Sequence, residues 1–400
     1  MTRPRAVVVG ASHAGAQVVA SLRQEGWEGE VVLIGDESSL PYQRPPLSKA
    51  YLAGKSSLQD LVIRKSEFYD KHDIEVVQAT VTRIDRGSRS IVTSDGETWS
   101  YDGLALCTGG RARTLDLPGG GLAGVHYLRT FSDVEAIRMA ASPGRHATIV
   151  GGGYIGLETA ASLRALDMQV TVLEAAHRVL ERVTAAEVSH FYERIHREAG
   201  VQVLTGAQVE AIEGRDRARA VILASGESVT TDLVIVGVGL VPDTELAAQA
   251  GLVVDNGVVI DDVARTSDAH IVAAGDCASH RMARYDRLVR LESVPSATEQ
   301  AKSAAATLCG RERRISALPW FWSDQYDLKL QIAGLNAGYD DVVVDGDPAH
   351  GRDFSCYYFH GGRLIAADCV NRPRDFVRVK HTLSKDLHVE RAELASLLAT

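Results

Sequence analysis

"HATIVGGGYIGLETAASLRALDMQVTVLE", residues 146–174, decides the fold class of this chain. An apolar strand, Ala147 to Val150, runs into Gly151-Gly152-Gly153-Tyr154-Ile155-Gly156. Leu157, Ala160, Ala161 and Leu163 then recur at helical spacing, and a second apolar strand, Val170 to Leu173, ends on Glu174. Strand, glycine turn, helix, strand and terminal acid in this order predict a dinucleotide-binding βαβ unit. The first glycine allows a tight turn, the second lets backbone approach a pyrophosphate, and the third lets helix pack on strand. The helix N-terminus then faces the phosphates. Glu174 stands about 20 residues on, where an acid meets a ribose 2′-hydroxyl and repels a 2′-phosphate. NADH is therefore expected over NADPH, a preference that nearby His177 and Arg178 could temper.

The same pattern opens the chain. "RAVVVGASHAG" (5–15) carries a strand, Ala6 to Val9, into Gly10, Ser12, His13, Ala14 and Gly15. A helical pattern follows through Val18, Val19 and Leu22, and "EVVLIGDE" supplies a second strand ending in Asp36 and Glu37. Ser12 replaces the strict middle glycine but is still small. A third marker, "TSDAHIVAAGDCA" (266–278), sends an apolar strand into Gly275 and Asp276, a carboxylate at the carboxyl end of a strand. Ligands of open α/β sheets collect there. Two such units mean two dinucleotides, and a flavin with a nicotinamide is the sensible pair.

At 400 residues, 45% hydrophobic and 24% charged, the chain is globular and too long for one core. Its net charge of −9 argues against general nucleic-acid or membrane-surface binding. No apolar run reaches the roughly 18 residues that span a bilayer. The five cysteines (Cys107, Cys277, Cys309, Cys356, Cys369) are scattered, with no C-x-x-C and no metal-ligand spacing. A cytoplasmic protein without a metal site or a cysteine redox centre is expected.

The series "GASHAG", "PYQRPPLSK", "GGGYIGLE", "VTVLE", "VGVGLVPDTELA", "TSDAHIVAAGDCA", "RLESVPSATEQA" and "PWFWSDQYDLKLQIAG" resembles the bacterial ferredoxin reductases that feed cytochromes P450 and ring-hydroxylating dioxygenases. These are putidaredoxin-reductase-like flavoproteins of the glutathione-reductase superfamily, and the resemblance runs from about residue 5 to about residue 390. "RPPLSK" and "PWFWSDQ" are more specific to this branch than the glycine motifs. The resemblance implies an α/β chain with two Rossmann-like domains and a small α+β C-terminal domain. Its boundaries are 1–113 with 243–317 for FAD, 114–242 for NADH, and 318–400 for the C-terminal domain.

Carried over by position, the resemblance puts Gly10, Ser12, His13, Ala14 and Gly15 at the FAD pyrophosphate, and Asp36 or Glu37 with Arg44 at the adenosine. Val81 meets the adenine. Pro46, Lys49, Thr108, Gly109, Arg129, Gly275, Asp276, Val294, Trp320 and Trp322 complete the FAD site. Pro295, where a polar residue is expected, puts the Val294 contact in question. NADH falls to Gly151, Gly152, Gly153, Tyr154, Ile155, Gly156, Glu158, Glu174 and Gly239. Hydride passes from NADH to FAD, and electrons then leave singly to an acidic [2Fe-2S] ferredoxin. Lys49 and Glu158 shape the hydride site and pair when the nicotinamide is absent; Trp322 is the gatekeeper toward the ferredoxin.

Three arginine-rich stretches, "RMARYDRLVR" (281–290), "RERR" (311–314) and "NRPRDFVRVK" (371–380), are candidate docking surfaces. A disulfide reductase or thiol-dependent NADH oxidase needs a cysteine near Lys49, and none precedes Cys107. A quinone- or oxygen-reducing flavoprotein, or an apoptosis-inducing-factor-like interaction protein, are the alternatives.

Overall fold

The computed structural model describes residues 3–399, which form two compact units. Among the described residues, the first comprises 3–43, 59–111 and 241–317, and the second 44–58, 112–240 and 318–399. In both, apolar runs bounded by glycine become fully buried parallel strands, as expected for strands covered on both faces.

The first unit is built on a five-stranded parallel sheet. Its order is Ile271–Ala273, Gly103–Leu106, Arg5–Val9, Glu30–Gly35 and Ile74–Gln78. Chain order reverses at Arg5–Val9, which has a later strand on either side, and a crevice opens at the carboxyl ends there. The helices His13–Gln24 and Val294–Leu308 pack along each other. Ala297, Ala301, Ala304 and Ala305 are buried on the second of them, and such small side chains let helix axes approach closely. Pro295 falls at the start of that helix, where its missing N–H costs nothing, and Ser293 Oγ accepts from Ser296 N. The Pro295 anticipated as a disturbance is an ordinary helix-initiating residue.

The second unit contains the other parallel sheet, ordered Val201–Thr205, Gln169–Glu174, His146–Val150, Leu233–Val236 and Val125–Tyr127. It also contains an antiparallel sheet ordered Trp320–Gln325, Leu328–Gly334, Arg363–Val370, Phe354–His360 and Asp341–Gly346. Helix Pro373–Ser384 packs on it. Residues 44–58 group here rather than with the strand that precedes them. Ser162 Oγ donates to Ser48 O at 2.7 Å, and the Arg138 guanidinium lies over the Tyr51 ring at 5.5 Å. Pro45 and Pro46 open a 3-10 turn, Pro45–Ser48, so the double proline starts a helical turn instead of merely interrupting structure.

The antiparallel sheet buries one acid at a structural cost. Asp368 is 0% exposed; Tyr358 Oη donates to its Oδ2 at 2.5 Å, and its Oδ1 has no partner. Burial pushes its carboxyl up to about 7 from the usual 3.8. Between those values the native state binds more protons than the unfolded chain, so stability falls as pH rises through that window and stays lowered above it. Asp368→Asn keeps an acceptor for Tyr358 and removes the charge. It is expected to stabilise the fold by about 2–4 kcal/mol at pH 8 and by nothing near pH 4, measured by thermal unfolding at both pH values.

Candidate functional site

Each unit presents its own candidate site at the carboxyl edge of its parallel sheet. In the first, strand Arg5–Val9 turns through Gly10 at φ +110°, where a Cβ would stand 2.0 Å from the Cys107 carbonyl oxygen. A Cβ on Gly15 would stand 1.9 Å from the Gly10 carbonyl oxygen, so only glycine lets the helix begin this close. That helix has no side-chain cap from Ser12 and no acid in its first turn. Its leading N–H groups and positive dipole end are thus suited to an anion. His13 and Ala14 form its first residues.

Other expected residues of this unit follow its parallel strands at the same edge. Asp36 and Glu37 follow Glu30–Gly35; Thr108 and Gly109 follow Gly103–Leu106; Gly275 and Asp276 follow Ile271–Ala273. Val81 begins strand Val81–Asp85, and Val294 begins its helix. A cleft of about 240 Å³ is lined by Ala11, Gly35, Glu37, Ser39, Val77 and Gln78 among others. Glu37 lines it, with its Oε2 accepting from Tyr42 Oη at 2.5 Å, whereas Asp36 is exposed and does not. The cleft wall Val76–Gln78 escaped sequence reasoning because a generic strand carries no motif. So did Gln300, fully buried, whose Oε1 accepts from Gly275 N at 2.8 Å and fixes the turn that presents Asp276.

In the second unit, Gly151 again has φ +110°, with a virtual Cβ 2.4 Å from the Gly237 oxygen, and Gly156 approaches the Gly151 oxygen at 2.0 Å. Gly153 caps helix Tyr154–Arg164 without a side chain, and no acid lies in its first turn. The Glu174 carboxylate accepts from Gly152 N at 2.7 Å and Ala176 N at 2.8 Å, so two backbone amides aim it at the glycine turn. The Arg178 guanidinium is committed to Thr184 O, Ser189 Oγ and Glu181 O. Its hydrogen bonds are directed inward, away from the role of a 2′-phosphate ligand. Ile155 is exposed, while the Tyr154 hydroxyl is buried without a partner and its ring packs on Phe321 at 5.0 Å. Tyr154 therefore offers a nucleotide its backbone, not its side chain. Gly239, at φ +112°, accepts from Arg113 N.

The same unit brings Lys49 to Glu158. Lys49 Nζ lies 2.6 Å from Glu158 Oε2 and 3.1 Å from Pro45 O, and Ser48 Oγ donates to the same carboxylate oxygen at 2.6 Å. Glu158 is 2% exposed, so the pair expected from sequence is an internal one. Arg44 Nη1 donates to Arg129 O at 2.8 Å, joining two more of the expected residues. Alternation along Trp320–Gln325 sends Phe321, Ser323 and Gln325 to one face and both tryptophans to the other. The Trp320 and Trp322 rings lie 5.6 Å apart; Trp320 packs on Phe376 and carries Lys380 Nζ 4.1 Å above it.

The arginine clusters are less positive than their sequence suggests. Arg281 pairs with Asp286, Arg290 with Glu292, Arg311 with Glu25, Arg313 with Glu299, and Arg314 with Asp262 and Glu312. Arg372 pairs with Asp345 and Asp353. Acids distant in sequence fold back on these arginines, which charge counting along the chain does not reveal. All five cysteines are unpaired, and burial raises each thiol, Cys369 to about 12. Among the described residues, no cluster of His, Cys, Asp or Glu could hold a metal ion.

Residues 4–301 match the family model described as pyridine nucleotide-disulphide oxidoreductase, and residues 320–397 match that described as reductase C-terminal. Putidaredoxin reductase of Pseudomonas putida is 47% identical over 96% of this chain and 92% of its own. Rhodocoxin reductase of Rhodococcus erythropolis is 42% identical over 95% of this chain and 90% of its own. The reductase in a solved covalent putidaredoxin reductase–putidaredoxin complex superposes with a TM-score of 0.95 at 46% identity, covering 98% of this chain and 96% of that one. Two glycine turns in order and full-length similarity agree: the chain belongs to the pyridine nucleotide-disulphide oxidoreductases, among the putidaredoxin-reductase-like ferredoxin reductases.

Proposed function

We infer that this chain is an FAD-dependent NADH:ferredoxin oxidoreductase that supplies a cytochrome P450 or ring-hydroxylating dioxygenase through a [2Fe-2S] ferredoxin. The observation that carries the reading is the Lys49–Glu158 pair, at 2.6 Å, where a thiol-using relative would keep a cysteine. FAD, when bound, takes a hydride from NADH and releases the electrons one at a time, which the nicotinamide cannot do. The chain's own residues bind and orient. Gly10, Ser12, His13, Ala14 and Gly15 cradle the FAD pyrophosphate, and the cleft beside Glu37 suits its adenosine. In the first unit, Thr108, Gly109, Asp276 and Val294 hold the remainder. Gly151 to Gly156 and Glu174 hold NADH.

With every thiol raised by burial, no cysteine is activated to accept the electrons, so an outside partner is needed. Five unpaired thiols also support a cytoplasmic location. No helix among the described residues is long and apolar enough to cross a membrane. Docking of an acidic ferredoxin is best assigned to Arg374 and Lys380 on helix Pro373–Ser384, beside Trp320, since the "RERR" arginines are compensated.

NADH-driven reduction of [2Fe-2S] ferredoxins, followed by their absorbance, tests the activity. Rapid reduction is expected, and turnover with quinone or oxygen alone would overturn the reading. Lys49→Met and Glu158→Gln should each slow flavin reduction by NADH roughly ten-fold or more, the worth of one charged hydrogen bond; wild-type rates in stopped flow would remove both from the hydride site. Glu174→Ala should raise KM for NADH about ten-fold while leaving NADPH nearly unaffected, measured by initial rates with each nucleotide. Replacing Arg374 and Lys380 by glutamine should lower kcat/KM for the ferredoxin and flatten its salt dependence, with ferricyanide reduction unchanged.

A further inference from the structure

Beyond Lys49 and Ser48, the Glu158 carboxylate holds one more partner, and that partner begins a chain. Ser323 Oγ lies 2.6 Å from Glu158 Oε1, and Gln325 Nε2 lies 3.2 Å from Ser323 Oγ. Gln325 Oε1 is 2.9 Å from His196 Nε2, and His196 Nδ1 is 3.1 Å from the Tyr326 hydroxyl. Ser323, Gln325 and His196 are at most 1% exposed, whereas Tyr326 is 39% exposed. The chain runs from a buried carboxylate to the surface of its unit.

Its polarity follows from donor and acceptor counting. A carboxylate paired with an ammonium only accepts. The single Ser323 hydroxyl hydrogen therefore goes to Glu158, and Ser323 Oγ must accept from the Gln325 amide. The carboxamide oxygen then faces His196 and requires a hydrogen on Nε2. Nδ1 is left with a lone pair, which takes the Tyr326 hydrogen. Burial pushes the imidazole down to about 4, so at neutral pH it carries the one hydrogen this arrangement demands. Donors that all point the same way reinforce one another in a low-dielectric interior. An apolar core of the same volume would serve stability as well; a polar chain ending on Glu158 serves its placement.

We infer that Ser323, Gln325, His196 and Tyr326 are positioning residues that anchor the Glu158 carboxylate and so set how firmly it latches Lys49 before a nicotinamide enters. This rests on the reading of Lys49 and Glu158 as the hydride site. A loosened anchor weakens the latch, so nucleotide binding becomes easier while hydride transfer, which needs the groups in place, becomes slower. A purely structural role would not split the two in opposite directions.

The test uses the full FAD-loaded chain. Equilibrium titration with NAD⁺ gives Kd, and stopped flow gives the rate of flavin reduction by NADH. Gln325→Met should tighten NAD⁺ binding roughly three- to ten-fold and slow flavin reduction by a similar factor, the worth of one net hydrogen bond. Tyr326→Phe, at the exposed end where folding is not at risk, should shift both quantities the same way by about two-fold. In a Lys49→Met background neither substitution should alter Kd further. ¹⁵N NMR of the His196 ring should show the neutral Nε2–H tautomer. Unchanged Kd and rate in both variants, equal effects in the Lys49→Met background, or an Nδ1–H tautomer would each overturn the inference. If Lys49→Met itself left Kd and rate at wild-type values, the hydride-site reading would fail instead.

Discussion

A carbonyl oxygen that leaves no room for a side chain governs both halves of this molecule. In the first unit a Cβ on Gly15 would lie 1.9 Å from the Gly10 oxygen, and in the second a Cβ on Gly156 would lie 2.0 Å from that of Gly151. Both first glycines sit at φ +110°. The near identity of the two turns is one steric solution used twice. It lets a helix start directly above a strand end, with no side-chain N-cap bond and no acid in the first helical turn. Such an arrangement suits a dinucleotide's phosphates.

Around that constraint, charge is handled differently at each edge. Glu37 and Glu174 are oriented by short hydrogen bonds, from Tyr42 Oη and from two backbone amides respectively. Glu158 is treated as an interior group. A buried carboxylate with one cation would carry a desolvation cost of several kcal/mol. Donors from Lys49, Ser48 and Ser323 offset it, two of them from the turn that opens with the double proline. The rigidity of that turn limits the entropy lost in gathering those donors.

The thiols complete the chemical logic. A flavoprotein that hands electrons to its own cysteines needs an exposed thiol of lowered pKa. Here four cysteines are buried and the fifth is half-buried, and all are shifted upward. Electron transfer to an acceptor outside the chain is consistent with that composition. Ion pairs across the arginine clusters also narrow where such an acceptor can dock.

The sequence by itself determined the elements whose physics is local. Two parallel sheets, their glycine turns, the acids at strand ends and the C-terminal antiparallel sheet were all legible, because periodicity and steric need act within some thirty residues. The expected pairing of Lys49 with Glu158 came from family position, since the two lie 109 residues apart and no local rule joins them. Tertiary structure alone decided which acid lines the cleft of the first unit, that Arg178 turns inward, that Tyr154 buries its hydroxyl, and that residues 44–58 pack with the second unit. It alone assembled Ser323, Gln325, His196 and Tyr326 on Glu158. Each of these depends on side-chain direction and long-range hydrogen bonding, which spacing along a chain does not encode.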